Sequence, residues 1–567
     1  MVLNVSIGID DFRKLRELGL EYVDKTSLVR ELIDRPGAEV VLFPRPRRFG
    51  KSLALSMLRC FFEKREEDLS PLFDGLDIWR AGEPYRAHFQ RYPVIHLTFK
   101  GAKHDSFEDT WAAIEKKIQV LFREHSSLLG SARLQESEAR DFQAVLDGTA
   151  GKSLYERALL DLSRYLHTVH GEKVVILIDE YDEPIHAGYL CGYAKPILEF
   201  FRAFFTNGLK GNPHLSRGVL TGILRIARES IFSGLNNLAV FSLLRSELST
   251  CFGFTEPEVE ALMIKAGRQD RMEEVRLWYN GYLFGDSVIY NPWSVLNYLA
   301  DEKGETRPYW VSTSSNDLVK HLLAGRAATL TPVFEALMAG GGVEVVLDEN
   351  VVLDRLETSD DALWSLLVFS GYLKAASLPR GSHDVAPHHL TIPNREVRLV
   401  YRGAFREWLE TALASRGGRL DRLVRGVLGG DAEIFEEELQ SFADNLLSYH
   451  DTGKVHVEQV YQGFIIGLLA ALEPKHRVRS NRESGKGRPD VLVTPTRPGL
   501  PGVVLELKVA KPGRKTPEQA LEEGLAQLRD NDYAAELRAA GAEPIHSFAV
   551  AFDGKRVWVR SPEGPRD

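Results

Sequence analysis

The stretch that most restricts what this chain can fold into is Glu39–Ser52, EVVLFPRPRRFGKS. A short apolar run, Val40–Phe43, gives way to an Arg/Pro turn, and the turn ends in Gly50-Lys51-Ser52 ahead of SLALSMLRCFFEK, apolar at helical spacing. Strand, tight turn, Gly-Lys-Ser and helix is the layout of a phosphate-binding loop. Gly50 lets backbone amides approach phosphate, Lys51 reaches the outer phosphate oxygens, and the Ser52 hydroxyl is placed to ligate Mg²⁺ at a helix N-terminus. The usual signature has a glycine five residues before Gly50, where this chain has Arg45. A chance Gly-Lys-Ser in a surface turn is the alternative, and a second phosphate-directed group elsewhere in the chain decides against it.

Lys173–Glu180, KVVILIDE, supplies that group. An unbroken apolar run matches a strand buried on both faces, and its C-terminal end carries Asp179 and Glu180. Ligands of open α/β sheets sit beyond the carboxyl ends of the strands, so this pair is expected to face Lys51. Asp179 would then hold Mg²⁺ and Glu180 would polarise the attacking water. Another strand, Arg217–Gly222, ends near Thr221, a candidate γ-phosphate sensor. Arg225 and Arg228 follow it as candidates to stabilise transition-state charge, in cis or from a neighbouring subunit of a homo-oligomer. The strand at Tyr92–Phe99 and the helical patterns over Asp105–Leu129 and Ser153–Val169 complete a strand–helix alternation that implies a largely parallel sheet under helices.

The blocks IGIDDFRKLRELGLEYVDKT, LFPRPRRFGKS, VVILIDEYDEPI, TGILRIARESIFSGLNNL and WYNGYLFGDSVIYNPWSVLNYL occur in that order over roughly the first 300 residues. This series resembles the bacterial AAA-ATPase-like family. The resemblance implies that Arg-Pro-Arg-Arg-Phe-Gly-Lys-Ser is that family's form of the P-loop, with ATP and Mg²⁺ as cofactors. Arg47, Arg48, Phe49, Gly50, Lys51 and Ser52 are then the nucleotide-binding candidates, with Asp179, Thr221 and Arg225. The sequence departs from the family pattern at Leu224, where a small or polar residue is expected.

From Thr255 to about Gln440 the pattern is mostly helical. The aromatic-rich segments Trp278–Phe284 and Tyr290–Leu299 have apolar spacing that suits burial rather than a base-stacking platform. Leu363–Tyr372, the pair YLKAASL and HHLTIP, and Glu396–Leu409 read as helix, hairpin, helix, a winged-helix-like element. His383, His388 and His389 fall in its hairpin loop without partners at metal spacing.

After Val457 the pattern changes. An apolar helix, Glu458–Leu472, leads through RVRSNRESGKGRPDVLVTP to a strand carrying Asp490, then a Pro/Gly turn, then VVLELKVAK with Glu506 and Lys508, then a helix over Pro517–Ala540. One carboxylate on a strand and Glu-x-Lys on the next is the active-site layout of PD-(D/E)XK nucleases. Phosphodiester hydrolysis needs carboxylates such as Asp490 and Glu506 to hold Mg²⁺, and a lysine to position or deprotonate water. Alternation along a strand puts Glu506 and Lys508 on one face and turns Leu507 into the core. The segment also resembles the nuclease domain that accompanies the ATPase-like family, and Gln527 and Tyr533 resemble a QxxxY-type helix of RecB-like nucleases with longer spacing. Glu458 and Glu483 are competing candidates for an additional metal carboxylate.

The chain carries a net charge of -9, so contact with nucleic acid must be local, and Arg479, Arg482, Lys486 and Arg488 beside Asp490 form such a patch. Cys60, Cys191 and Cys251 are scattered without a CxxC pair, which fits a reducing cytoplasm. Early charges argue against a signal peptide, and no run approaches the ~20 apolar residues of a membrane span. The expected fold is α/β: a P-loop NTPase parallel sheet over residues 1–254, a helical, winged-helix-like middle over 255–440, and a restriction-endonuclease-like α/β domain over 441–567. The expected function is ATP hydrolysis joined to Mg²⁺-dependent cleavage of nucleic acid, DNA foremost. The alternative is a nucleotide-gated switch that binds nucleic acid without cutting it.

Overall fold

The computed structural model describes residues 3–224, 231–232, 235–310, 340–349, 355–356, 359–379, 385–401, 418–446, 457–469, 475–480, 489–510 and 515–562, with single positions at 319, 322, 333, 337 and 472. The chain forms two compact units, residues 1–318 with 344–397, and residues 319–343 with 398–567.

The first unit is organised by a five-stranded parallel sheet of β1 (Val40–Pro44), β2 (Val94–Thr98), β3 (Val174–Asp179), β4 (Leu215–Gly222) and β5 (Leu238–Val240), in the order β2-β3-β4-β1-β5. Every residue of β1 and β3 is buried, as strands covered on both faces must be. The register pairs Thr98 with Asp179, Phe43 with Thr221 and Pro44 with Gly222, so β1, β2, β3 and β4 end along one edge. The Lys51–Phe62 helix packs back on β2, β3 and β4.

The middle region, read as mostly helical, contains a three-stranded antiparallel sheet, β6 (Phe254–Thr255), β7 (Tyr282–Phe284) and β8 (Ser287–Tyr290), ordered β6-β8-β7. Tyr279, Tyr282, Phe284, Tyr290 and Tyr298 are buried in and around it. The phosphate-loop turn is bound to this sheet through Phe49, 1% exposed, whose ring meets Tyr282 at 5.0 Å and Phe284 at 5.3 Å between centroids. Gly253 donates its N–H to the Phe49 carbonyl at 3.2 Å. Its φ of +76° and the 2.3 Å between an added Cβ and Ile289 leave that position to glycine. Phe49→Ala should cost about 3–5 kcal/mol, the usual range for a buried phenylalanine. A urea titration should show the lower midpoint, and an unmoved midpoint would mean that the ring does not hold the turn.

The segment expected as helix, hairpin, helix contains the Asp360–Phe369 helix. Beside it in sequence are β9 (Val343–Val345), β10 (Lys374–Ser377) and β11 (His388–Thr391), a sheet ordered β10-β11-β9 in which β10 and β11 run antiparallel. His388 and His389 therefore lie in a strand rather than a loop, and His383 lies outside the described residues.

The second unit holds a five-stranded mixed sheet of β12 (His476–Ser480), β13 (Val491–Pro495), β14 (Gly502–Val509), β15 (Ile545–Asp553) and β16 (Arg556–Arg560), in sequence order. Only β14 and β15 pair in parallel, with the Pro517–Asp530 helix between them in sequence, while the other neighbours are antiparallel. Val493, Leu505, Leu507, Phe548, Val550 and Phe552 form a core with residues of the Arg419–Gly429, Ala432–Leu446 and Val457–Leu469 helices. Ala549 and Ala551 of β15 pack instead with Ala520, Leu521 and Leu525 of the Pro517–Asp530 helix. The helix expected over Pro517–Ala540 is two: it stops at Asp530, and a second runs over Ala535–Ala539. Asn531 breaks it by taking an extended backbone, φ -106° and ψ 131°.

Candidate functional site

At the edge where β1, β3 and β4 end, Gly50 takes a left-handed backbone, φ +84°, and starts the Lys51–Phe62 helix. Lys51 follows, 5% exposed, its ammonium donating to the carbonyls of Arg45 and Pro46 at 3.0 Å each. Burial lowers its pKa, opposed by the negative charges of Glu180, Asp179 and Asp182. Ser52 Oγ donates to Asp179 Oδ2 at 2.6 Å, and Thr221 Oγ1 donates to Asp179 Oδ1 at 2.5 Å. The loop serine, the strand-end aspartate and the β4 threonine thus form one hydrogen-bonded set.

Glu180 follows Asp179 with φ +50°, a left-handed backbone unusual for a side-chain-bearing residue and common where structure is constrained by function. Burial pushes its carboxyl up to about 7; Lys51 opposes the rise, while Asp179 and a hydrogen bond with Glu183 add to it. Asp182 Oδ2 accepts the N–H groups of Ile223 and Leu224 at 2.7 and 3.0 Å, and the Tyr181 hydroxyl donates to the Leu224 carbonyl at 2.6 Å. Leu224 is fully buried, so the position where the sequence departs from the family pattern is a packing position. Arg225 and Arg228 lie outside the described residues.

Arg45, in the place of the usual glycine, is fully buried. Its guanidinium donates to the Pro44 and Phe241 carbonyls at 3.0 and 2.6 Å and lies 5.5 and 5.1 Å from the ring centroids of Phe252 and Phe284. Burial brings its pKa down to about 10. The side chain ties the end of β1 to the chain after β5 and to the aromatic core. Arg47 lines the cavity at the loop, and Arg48, φ +67°, lies over the Trp293 ring at 4.2 Å. Motif reasoning singles out neither Asp182 nor Trp293. Only Asp182 has a visible signal, in the acidic run after β3.

In the second unit β14 brings Glu506 and Lys508 to the same face, with Lys508 Nζ donating to Glu506 Oε1 at 2.9 Å. Both are buried, at 4% and 9% exposure, while Leu507 joins the core. Asp490 precedes β13 and accepts the Leu507 N–H through Oδ2 at 2.8 Å, which places it across from Glu506. The Gln462 side chain of the Val457–Leu469 helix donates to the Asp490 carbonyl at 2.7 Å. Burial raises the Glu506 pKa, the Lys508 bond opposes this, and the Asp490 charge adds to it.

Tyr533 is buried, within electrostatic reach of Glu506, Lys508 and Asp490, and its hydroxyl accepts from Asn531 Nδ2 at 3.0 Å. Gln527 has a buried Oε1 without a hydrogen-bond partner. Gly524 lets its helix approach: an added Cβ would stand 3.0 Å from Ala549 and 3.6 Å from Lys508. Arg479 pairs with Glu536 at 3.4 Å. Arg482, Glu483, Lys486 and Arg488 lie outside the described residues, and Glu458 is placed only as a member of the Val457–Leu469 helix.

The donor sets suit Mg²⁺, a hard cation that takes oxygen ligands. Ser52 and Asp179 offer a hydroxyl and a carboxylate, and Glu506 has a second carboxylate oxygen, Oε2, buried without a partner beside Asp490. Among the described residues no group of three or more His, Cys, Asp or Glu is arranged to hold a metal, and no helix is long and apolar enough to cross a membrane.

Residues 6–232 match the family model described as a predicted AAA-ATPase, and residues 456–561 match that of the PD-(D/E)XK nuclease superfamily. The chain is also 31% identical over 555 residues to an uncharacterized protein in the vnfD 5′ region of Azotobacter chroococcum mcd 1, across 96% of each chain. Sheet order, strand-end residues and these matches agree: the chain belongs to the predicted AAA-ATPase family and carries a PD-(D/E)XK nuclease domain at its C-terminal end.

Proposed function

We propose that the protein hydrolyses ATP at the β1–β3–β4 edge and cleaves phosphodiester bonds of nucleic acid, DNA foremost, at Asp490, Glu506 and Lys508, with Mg²⁺ serving both sites. The observation that carries the first half is the joining of Ser52, Asp179 and Thr221, with Lys51 and Glu180 on the same cavity. The domain plan behind it assigns residues 1–254 to the ATPase, 255–440 to a middle region that holds short sheets with antiparallel strands as well as helices, and 441–567 to the nuclease, whose core also takes in the Arg419–Gly429 and Ala432–Leu446 helices.

Lys51 would hold the outer phosphates, and Thr221, fully buried with its hydroxyl on Asp179, would orient that carboxylate rather than meet the terminal phosphate itself. Ser52 and Asp179 would hold Mg²⁺, which supplies charge neutralisation when bound. Glu180 accepts a proton from the water that attacks the γ-phosphorus as the bond to the bridging oxygen breaks. ADP leaves with that electron pair. In the second site Asp490 and Glu506 would hold Mg²⁺, and Lys508 orients the water that displaces the leaving oxygen from the phosphodiester.

A base must be deprotonated to act, so ATPase rate should rise with pH through about 7, the value toward which burial pushes Glu180. Glu180→Gln should leave a low rate without that inflection. A wild-type profile flat from about pH 5.5 to about 8.5 would rule out Glu180 as the base. The function itself is tested by a cleavage panel of double-stranded DNA, single-stranded DNA and RNA, with and without Mg²⁺, under ATP, ADP and no nucleotide. Binding without metal-dependent cleavage of any of them would favour the switch instead.

A further inference from the structure

Arg48 stands in the middle of the phosphate-loop turn with φ +67°, a left-handed backbone that a side-chain-bearing residue keeps only where its surroundings impose it. What imposes it here lies beyond residue 232, outside the stretch that matches the predicted AAA-ATPase. The Trp310 indole donates to the Arg47 carbonyl at 3.2 Å. A trans peptide sends its C=O and N–H in opposite directions, so this one bond also fixes where the Arg48 N–H points. On the other side the Arg48 guanidinium lies over the Trp293 ring at 4.2 Å. Pro46 abuts Gly371, φ +89°, where an added Cβ would stand 3.0 Å from the proline Cβ. Both tryptophans lead to one carboxylate. Glu396, fully buried, accepts the Trp310 backbone N–H through Oε1 at 2.5 Å and the Ser294 hydroxyl through Oε2 at 2.8 Å. Ser294 follows Trp293 on the Pro292–Ala300 helix. The Trp310 ring is itself packed, 5.2 Å from Tyr372 and 6.3 Å from Tyr282 between centroids, and Tyr282 is a ring that Phe49 meets.

We infer that Glu396 is a positioning residue for the phosphate loop, acting through Trp310 to hold the Arg47–Arg48 peptide in the orientation a triphosphate requires. The inference rests on the P-loop reading. A phosphate loop binds its anion through backbone N–H groups, so the direction of each peptide plane in the turn decides affinity. Glycine would leave those planes to the ligand; here Arg45, Pro46, Arg47 and Arg48 fill the turn, and the fold sets the planes instead. Arg45 ties the start of the turn to the Phe241 carbonyl, and Trp310 sets its middle. A carboxylate buried as deeply as Glu396 costs stability unless it is hydrogen-bonded, and each of its oxygens accepts from a group that leads to the loop.

Calorimetric titration of the full chain with ATP and with inorganic triphosphate tests this, at a temperature where circular dichroism shows each variant folded. Trp310→Phe keeps an aromatic ring but loses the bond to Arg47, and it should weaken both ligands by the same factor, about five- to tenfold, the scale of one hydrogen bond. Glu396→Ala should weaken them at least as much, and the double variant no more than Glu396→Ala alone, because two members of one chain of contacts do not add. Glu396→Gln keeps an acceptor for the Trp310 N–H and can donate to Ser294, so it should stay within about twofold of wild type. If Glu396→Ala does not fold, Trp310→Phe and Glu396→Gln decide. Wild-type affinity in folded Trp310→Phe overturns the inference, whatever the change in melting temperature, since the contact is then structural. Losses that add in the double variant, or a loss for ATP without one for inorganic triphosphate, overturn it too and leave the P-loop reading standing. Binding of neither ligand by the wild type, or binding indifferent to Lys51→Ala, overturns both readings.

Discussion

Lys51→Ala should reduce ATP hydrolysis by at least about 10²–10³-fold, the scale of losing one preorganised group that stabilises transition-state charge. The lysine stands at the start of a helix whose N-terminal amides already favour anions, and its ammonium is held on the Arg45 and Pro46 carbonyls, close to where a phosphate would sit. An arriving phosphate would exchange neutral carbonyl partners for an anion inside a buried site, where charge is weakly screened. Removing the side chain should cost little stability, because carbonyls facing the cavity can turn to water. Circular dichroism and an unchanged melting transition would confirm that the loss is chemical. The same variant tests coupling between the two activities. If DNA cleavage by Lys51→Ala matches wild type in rate, substrate choice and response to ATP, nucleotide state does not control the nuclease. A wild-type ATPase rate in Lys51→Ala would remove the P-loop reading altogether.

How much of this is legible in the sequence depends on element length and on whether a residue's job follows from its type. Strands β1 and β3 are unbroken apolar runs, and two faces covered by helices leave such runs no other meaning, so both can be placed with their acidic and glycine-bearing ends. The β14 alternation is legible for the same reason: Glu506 and Lys508 flank Leu507, and period two separates them. The sheet β6-β8-β7 is not, because a two-residue strand and a tight hairpin carry too few alternations to rise above a helical background. Arg45 reads as a surface or phosphate-binding cation by type. Only the fold shows that carbonyls and aromatic faces hold it as a buried tie, which answers why the loop does without the usual glycine. The break after Asp530 is hidden because helix-compatible residues continue through it, and the signal is one extended residue, Asn531. Trp293 belongs to an aromatic segment whose spacing reads as core. It is partly core, but its ring also borders the cavity, a distinction that apolar spacing does not encode.

Asp490→Asn should abolish metal-dependent cleavage, a loss on the order of 10²–10⁴-fold, while leaving the protein folded and able to bind nucleic acid. The substitution is chosen because Asp490 has two separable roles. Its Oδ2 accepts the Leu507 N–H, a cross-strand contact that the amide oxygen of asparagine can keep, whereas the negative charge needed beside Glu506 is lost. Lys508→Ala is the less clean partner. Lys508 donates to Glu506 Oε1, and without it a buried carboxylate is left unpaired, with a penalty of about 3–5 kcal/mol that drives it to take up a proton. Since burial already raises the Glu506 pKa, Lys508→Ala should lose cleavage through two routes at once and shift its remaining pH dependence upward. The two variants therefore separate charge loss from lysine loss. Metal-dependent cleavage present in the wild type and absent in Asp490→Asn, with nucleic-acid affinity retained, excludes a protein that only binds. Cleavage at the wild-type rate in Asp490→Asn would mean that the β13–β14 cluster is a structural ion pair and that the cutting chemistry, if present, lies elsewhere in the chain.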